Sequence, residues 1–406
     1  MKLTPDISKR NFRALLWHGG FLAFAQAFMD VDTIIPAMLI DAGGNAIQVG
    51  ILTAILLGGA SFTQLIYAPF ISNFRFKKKF LLLGINSRVF ALLALAILLY
   101  NVAHVKDSWV VLSIFLIMAV FSFGGAFANV GYTDILGKSI QADSRKSFFP
   151  LKQVITGTLL FISALLAKQV LNASDYPTNY AYMFFVAFGA LFFASLGFWQ
   201  IREVVPSKMA IKSAGDFFQK IKTELRENKK LKYYLGFINT MGISLAFLPF
   251  VVLYAKESFT SGTVDTGSLL LFKIIGNVVT AFLLFFLRNR YKYRYLLYGD
   301  AALAITIPLL ILLFPQFPLF PLLFFIGGII FAGYTITKSG ILLEVSGTEN
   351  RTLYAGIIGM GNILPALFPL LAGWLIKAYG FQPFFILYML VILCSLFFIY
   401  KIDCKQ

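Results

Sequence analysis

Asp30 stands inside an apolar stretch of the chain, 17 residues past Arg13. At about 100° per residue, Ala23, Gln26, Asp30, Thr33 and Ala37 fall on one helical face. A polar stripe with small neighbours is what a helix bordering a wet cavity carries. A carboxylate there can load and release a proton as its surroundings open and close, because ionisable groups in apolar spans are costly and ask for a reason. The other use is a structural ion pair, with Lys168 or Lys273 as partner. Asp32 points nearly opposite and reads as packing or a gate contact. A second face carries Lys273, Asn277 and Thr280, a cation with two hydrogen-bonding groups that suits an anionic solute. Lys273 could equally snorkel to the outer surface. Ser122, Ala126 and Asn129 make a third face, and Asn239, Ser244, Tyr334 and Thr337 are weaker additions.

The elements that must hold these residues follow from composition. Of 406 residues, 59% are apolar and 13% charged, with 45 Phe. A soluble fold of this length could not hide so much apolar surface, and disorder needs low hydrophobicity. The chain reads as an all-α integral membrane protein. Spanning helices need about 20 mostly apolar residues. Twelve such runs occur, at roughly 14–39, 49–72, 80–100, 109–137, 148–171, 181–201, 233–255, 268–287, 295–314, 318–342, 352–376 and 381–400. The longest link, 202–232, divides them six and six.

Charge fixes the orientation. With the N-terminus inside, 26 of the 35 Lys and Arg fall in cytoplasmic segments and only Lys106, Lys256 and Lys377 in external loops. Lys and Arg are retained on the cytoplasmic side, so both termini are expected in the cytoplasm and the net charge of +17 is topological rather than a sign of nucleic acid. Within the long link, Phe217, Phe218, Ile221 and Leu225 form an apolar stripe among Lys220, Lys222, Arg226, Lys229 and Lys230. That pattern predicts a basic amphipathic helix on the inner membrane surface, joining an N-terminal bundle (1–201) to a C-terminal one (233–406).

The halves echo each other. Phe76-Lys77-Lys78-Lys79-Phe80-Leu81-Leu82-Leu83-Gly84 aligns with Tyr291-Lys292-Tyr293-Arg294-Tyr295-Leu296-Leu297-Tyr298-Gly299. Asp143-Ser144-Arg145 aligns with Glu349-Asn350-Arg351, and Gln26 and Pro36 with Asn239 and Pro249. The offsets run from 206 to 215 in equivalent spans. Parallel repeats of this kind place a solute site near the midplane, between the halves.

In these features the chain resembles the major facilitator superfamily. Arg75-Phe76-Lys77-Lys78 keeps the basic end of that family's 2–3 loop signature, although Asn73 replaces its acid and both glycines are gone. Gly131-Tyr132-Thr133-Asp134 followed by Asp143-Ser144-Arg145-Lys146 is similar to the family's acidic-then-basic segment. The Gly- and Pro-rich span with Gly356, Gly359, Gly361, Pro365, Pro369 and Gly373-Trp374 adds to the likeness. The Gly-rich antiporter signature of helix 5 is missing, since span 5 has only Gly157. The resemblance implies two pseudo-symmetric six-helix bundles and transport by alternating access. It also implies that charges at the inner ends, Arg75, Arg88, Asp134, Arg145, Glu344 and Arg351, close a cytoplasmic gate, with Arg88 expected to pair with Asp134.

No zinc motif, Walker loop or Cys/His cluster occurs. The expectation is a monomeric multi-pass transporter of the cytoplasmic membrane, without cofactor, metal or enzymatic activity. It would move a small solute, with a lean to a small organic anion, coupled to protons through Asp30. The remaining candidates for its cavity are Gln26, Thr33, Asn129, Asn239, Lys273 and Asn277. An uncoupled facilitator, a drug or metabolite exporter of the same fold, and a membrane-embedded enzyme or lipid scramblase are the alternatives.

Overall fold

The computed structural model describes residues 3–207, 214–259, 264–287, 292–314, 319–346, 357 and 361–402. The described residues form helices with no strand. They are α1 (Pro5–Phe28), α2 (Ile34–Asp41), α3 (Ala46–Ser72), α4 (Lys78–Tyr100), α5 (Asp107–Ser139), α6 (Ala142–Asn172), α7 (Thr178–Gln200), α8 (Ala214–Glu227), α9 (Lys229–Met241), α10 (Leu248–Ser258), α11 (Thr266–Leu287), α12 (Tyr293–Leu313), α13 (Phe320–Ser346), α14 (Ile363–Tyr379) and α15 (Phe381–Ile402). Nine described helical stretches are long and apolar enough to cross a bilayer, and two shorter apolar ones accompany them. The expected start of the eleventh run, at 352, lies outside the described residues.

Local chemistry sets the helix ends. Thr4 caps α1 by accepting from the Ile7 N–H, ahead of Pro5 and Asp6. Asn45 and Gln48 exchange side-chain and backbone bonds, 2.8 and 3.2 Å, a reciprocal box that starts α3. Asn228 does the same work for α9 through the Leu231 N–H, 3.1 Å away.

The first and seventh runs are not continuous helices, as their apolar length suggests. Residues 29–33 leave the helix between α1 and α2, and Gly242–Ala246 tighten into a 3₁₀ turn between α9 and α10. Proline is the cause in both. A proline ring collides with the carbonyl four residues back, and Pro36 and Pro249 each set that collision inside the break. The breaks keep the offset of 213 that aligns Gln26 with Asn239. Broken helices at membrane depth are tolerated where the freed backbone borders protein or a cavity.

Contacts group the chain into two units. One holds Met1–Asp30 with Phe62–Phe217, the other Val31–Ser61 with Phe218–Gln406. In the first, α4 lies so close to α5 that a side chain at Gly84 would meet the Gly124 carbonyl and Ala128 N–H at 2.6 Å. In the second, α11 and α13 touch through Gly276 and Gly328. Around the α9–α10 break the second unit buries Phe247 stacked on Tyr388, ring centroids 4.0 Å apart. The predicted linker helix forms as α8, with Ile221 buried and Phe218 exposed on it.

Candidate functional site

The first unit holds a half-open cavity of about 350 Å³, the small end of the range for ligand sites. α1 contributes His18, Gly19 and Gln26, α4 Arg88, α5 Asn129 and Tyr132, α6 Lys152, Gln153 and Thr156, and α7 Phe198. Among the described residues no Asp or Glu lines it. The Arg88 guanidinium lies 4.2 Å from the Phe121 ring centroid, a cation–π contact. Its Nε is enclosed without a hydrogen-bond partner among the described residues. Lys152 Nζ donates to the Tyr132 hydroxyl at 3.0 Å, and its stem runs past Gly19 where α1 and α6 approach. His18 is packed, stacked on Phe198 at 3.6 Å with Nδ1 donating to the Ala194 carbonyl at 3.1 Å. A carbonyl only accepts, so that bond fixes the proton on Nδ1.

Of the residues predicted to line a cavity, Gln26 and Asn129 meet here. Thr33 and Asp30 do not line it. Asp30 lies in the break after α1, half-buried, and Thr33 is buried at the N-terminus of α2.

The pairing expected between Arg88 and Asp134 does not form. Asp134 is taken by Lys138 at 2.7 Å, one turn along α5, and by Lys77 at 3.3 Å, and it accepts from Ser207 at 2.6 Å. Helical spacing explains the preference, since residues four apart on one helix already face each other. Lys138 reaches Glu203 as well, at 2.7 Å. Glu203 in turn accepts from the Lys77 and Lys78 backbone N–H groups at 2.7–2.9 Å. A carboxylate on the open N–H groups of a helix start is stabilised by the helix dipole. Lys77, Asp134, Lys138, Glu203 and Ser207 thus form one lattice at the expected cytoplasmic end of this unit. Arg75 is exposed beside it, its carbonyl accepting from the Ser207 N–H. The Arg145 and Glu344 side chains, and all of Arg351, lie outside the described residues.

In the second unit Lys273 is buried against Asp32, Nζ to Oδ2 2.5 Å. The Phe331 ring centroid lies 5.6 Å from the same Nζ. Asn277 follows one turn along α11, half-buried. Asn239 bridges two elements: its amide donates to the Leu235 carbonyl at 3.0 Å, and its oxygen accepts from the Leu364 N–H at 2.9 Å, at the start of α14.

Sequence reasoning passes over Glu203 and Asp300, and it places Lys152 with the charges at the inner helix ends. Glu203 hides in the polar link, where an acid looks solvated. Lys152 reads as a helix-end charge, although it reaches the cavity. Asp300 is an acid seven residues into α12, pressed against Gly333 of α13, with Oδ2 enclosed and unbonded among the described residues. The rule that marks Asp30, an acid inside an apolar run, marks Asp300 equally.

Residues 233–403 match the model of the Major Facilitator Superfamily. Among curated protein sequences none is a significant match. Several solved structures share the fold. A mutant form of the nucleoside transporter NupG superposes with a TM-score of 0.68 at 13% identity, over 96% of this chain and 98% of that one. A D-xylose-proton symporter gives 0.68 at 14%, over 96% and 97%. An auto-inhibited POT family peptide transporter gives 0.71 at 10%, over 97% and 96%.

Proposed function

We propose that this chain is a secondary transporter of the major facilitator superfamily, a reading supported by the match over residues 233–403 and by the shared fold, and that it moves a small organic anion across the cytoplasmic membrane. The observation that carries the reading is the cavity of the first unit, which presents Arg88 and Lys152 and, among the described residues, no acid. A cation in an apolar span is expensive unless something compensates it, and an anionic solute is that something. The sequence-based lean to an anion rests on Lys168 and Lys273, and the charge of Lys273 is taken up by Asp32. The anion reading therefore moves to the other unit.

Transport runs by alternating access, with bundles 1–201 and 233–406 changing the side to which the solute is open. The chain works as a monomer with both termini in the cytoplasm. Protons are the coupling ion and Asp30, in the break after α1, carries them. The fold shared with a D-xylose-proton symporter supports coupling as a mechanism open to this architecture. The test uses Asp30→Asn in sealed vesicles with a solute found by uptake profiling of a deletion strain. Gradient-driven accumulation should be lost while solute exchange survives, because exchange needs no net change of protonation. Accumulation at the wild-type level would remove Asp30 from the mechanism and leave an uncoupled facilitator.

A further inference from the structure

We infer that the cavity of the first unit is built for an oxyanion carrying two negative charges, with a short polar body between or beside them. The inference rests on the reading of this cavity as the solute site and adds the charge that the solute must bring.

The count of cations comes first. Arg88 arrives from α4 and Lys152 from α6, and both border the same space. Neither forms an ion pair among the described residues. Their bonds to the protein are neutral: Phe121 under the guanidinium, the Tyr132 hydroxyl on the ammonium. The surrounding wall includes Leu22, Leu81, Ile85 and Phe198, which offer no compensation. Two like charges, both half-buried, repel each other there and lose part of their hydration, which costs free energy unless it is answered. One negative charge would answer only one of them. Asp30 does not supply the second, since it is not among the lining residues.

The two cations also differ in kind. Arg88 presents a flat fork of donors, matched to the paired oxygens of a carboxylate or a phosphate. Its guanidinium carbon lies over the Phe121 ring, and its enclosed Nε shows that the protein has not used up its donors. Lys152 presents a point charge, anchored through Tyr132. A plane and a point on different helices suit two acidic oxygens set apart, as in a short dicarboxylate, or the spread charge of a phosphate monoester. Gln26, Asn129 and Thr156 add neutral hydrogen-bonding groups for hydroxyls or carbonyls on the body. The cavity volume of about 350 Å³ lies at the small end of the range for small-molecule sites.

The test uses the purified full-length protein in detergent and follows thermal unfolding at constant ionic strength. The probes are succinate, glycerol 3-phosphate, lactate and glycerol. At least one of the two doubly charged probes should raise the melting temperature, while lactate acts weakly and glycerol has no effect. Arg88→Gln and Lys152→Gln should each weaken that probe about ten- to a hundredfold, the scale of a lost charged hydrogen bond. Without any probe, each variant should melt above the wild type, because it removes a charge that the protein leaves uncompensated. Lactate acting as strongly as succinate, with Lys152→Gln without effect, would overturn the two-charge inference and leave the anion reading standing. Stabilisation by glycerol, untouched by either variant, would sink both. No response to either doubly charged probe, or ligand-free variants that melt below the wild type, would show that Arg88 and Lys152 serve the fold, and the inference fails.

Discussion

Lys273 of α11 and Asp32, from the break between α1 and α2, form a buried ion pair, Nζ to Oδ2 2.5 Å, with side-chain exposures of 6% and 8%. The two residues are 241 positions apart in sequence and lie in one contact unit. Such a pair adds little net stability against an apolar replacement, yet removing one partner strands the other charge at a cost of about 3–5 kcal/mol.

A specific rescue pattern follows. Lys273→Gln should destabilise the protein by about 3–5 kcal/mol, and Lys273→Gln with Asp32→Asn should recover most of it. Lys273→Gln with Asp30→Asn should recover nothing. Chemical denaturation in detergent measures all three. Recovery through Asp30 instead would mean that the pairing is wrongly assigned.

The lattice at the end of α5 ranks two acids. Glu203 is 3% exposed and answers both Lys138 and the N–H groups that open α4. Asp134 is 26% exposed and shares Lys138 with it. Glu203→Gln should therefore cost about 3 kcal/mol, as a buried charge partner, and Asp134→Asn about 1 kcal/mol, closer to a surface pair. Unfolding of both variants under one condition decides it, and the reverse order would contradict the roles given to the two acids.

What the chain spells out locally could be read without coordinates. The helical runs are legible because apolar length is the dominant physical demand of a bilayer, and α4, α7 and α12 begin and end within a few residues of the expected limits. The breaks at 29–33 and 242–246 were written in Pro36 and Pro249, but apolar runs of 26 and 23 residues mask them. Partner choice was the least legible. Whether Asp134 meets Arg88 or Lys138, and whether Lys273 meets a solute or Asp32, depends on helix rotation by a fraction of a turn, which spacing along one helix does not contain. The cavity was half visible: Gln26 and Asn129 announce themselves as polar groups in spans, whereas Arg88 and Lys152 look like helix-end charges until five helices bring them to one space.

Close approach of α12 and α13 yields a steric prediction. Gly333 lies directly against both carboxyl oxygens of Asp300, so a methyl group there has no room. Gly333→Ala should cost about 1–3 kcal/mol, the scale of overpacking. Adding Asp300→Ala vacates the contested space and should return part of the loss. If the single variant is neutral in a denaturation experiment, the helices are farther apart than described.

The orientation can be tested by labelling, and the structure supplies two suitable positions. The distribution of Lys and Arg requires 41–47 outside the cell and 73–79 inside. Asn45 and Asn73, one in each loop, are both exposed. Cys394 is exposed and would react on its own, so it and Cys404 are replaced first. In that background Asn45→Cys should react with a membrane-impermeant maleimide on intact cells. Asn73→Cys should react only after permeabilisation. Asn73→Cys carries the main risk of artefact, because it adjoins the lattice around Lys77 and Glu203; its melting temperature should match the cysteine-free parent before its labelling is interpreted. Asn45→Cys loses one half of the box with Gln48, worth about 1 kcal/mol at a helix start, too little to unfold α3. Labelling of Asn73→Cys on intact cells, with Asn45→Cys silent until permeabilisation, would invert the protein in the membrane. The lattice of Asp134 and Glu203 would then face outward, and no cytoplasmic gate could be built from it.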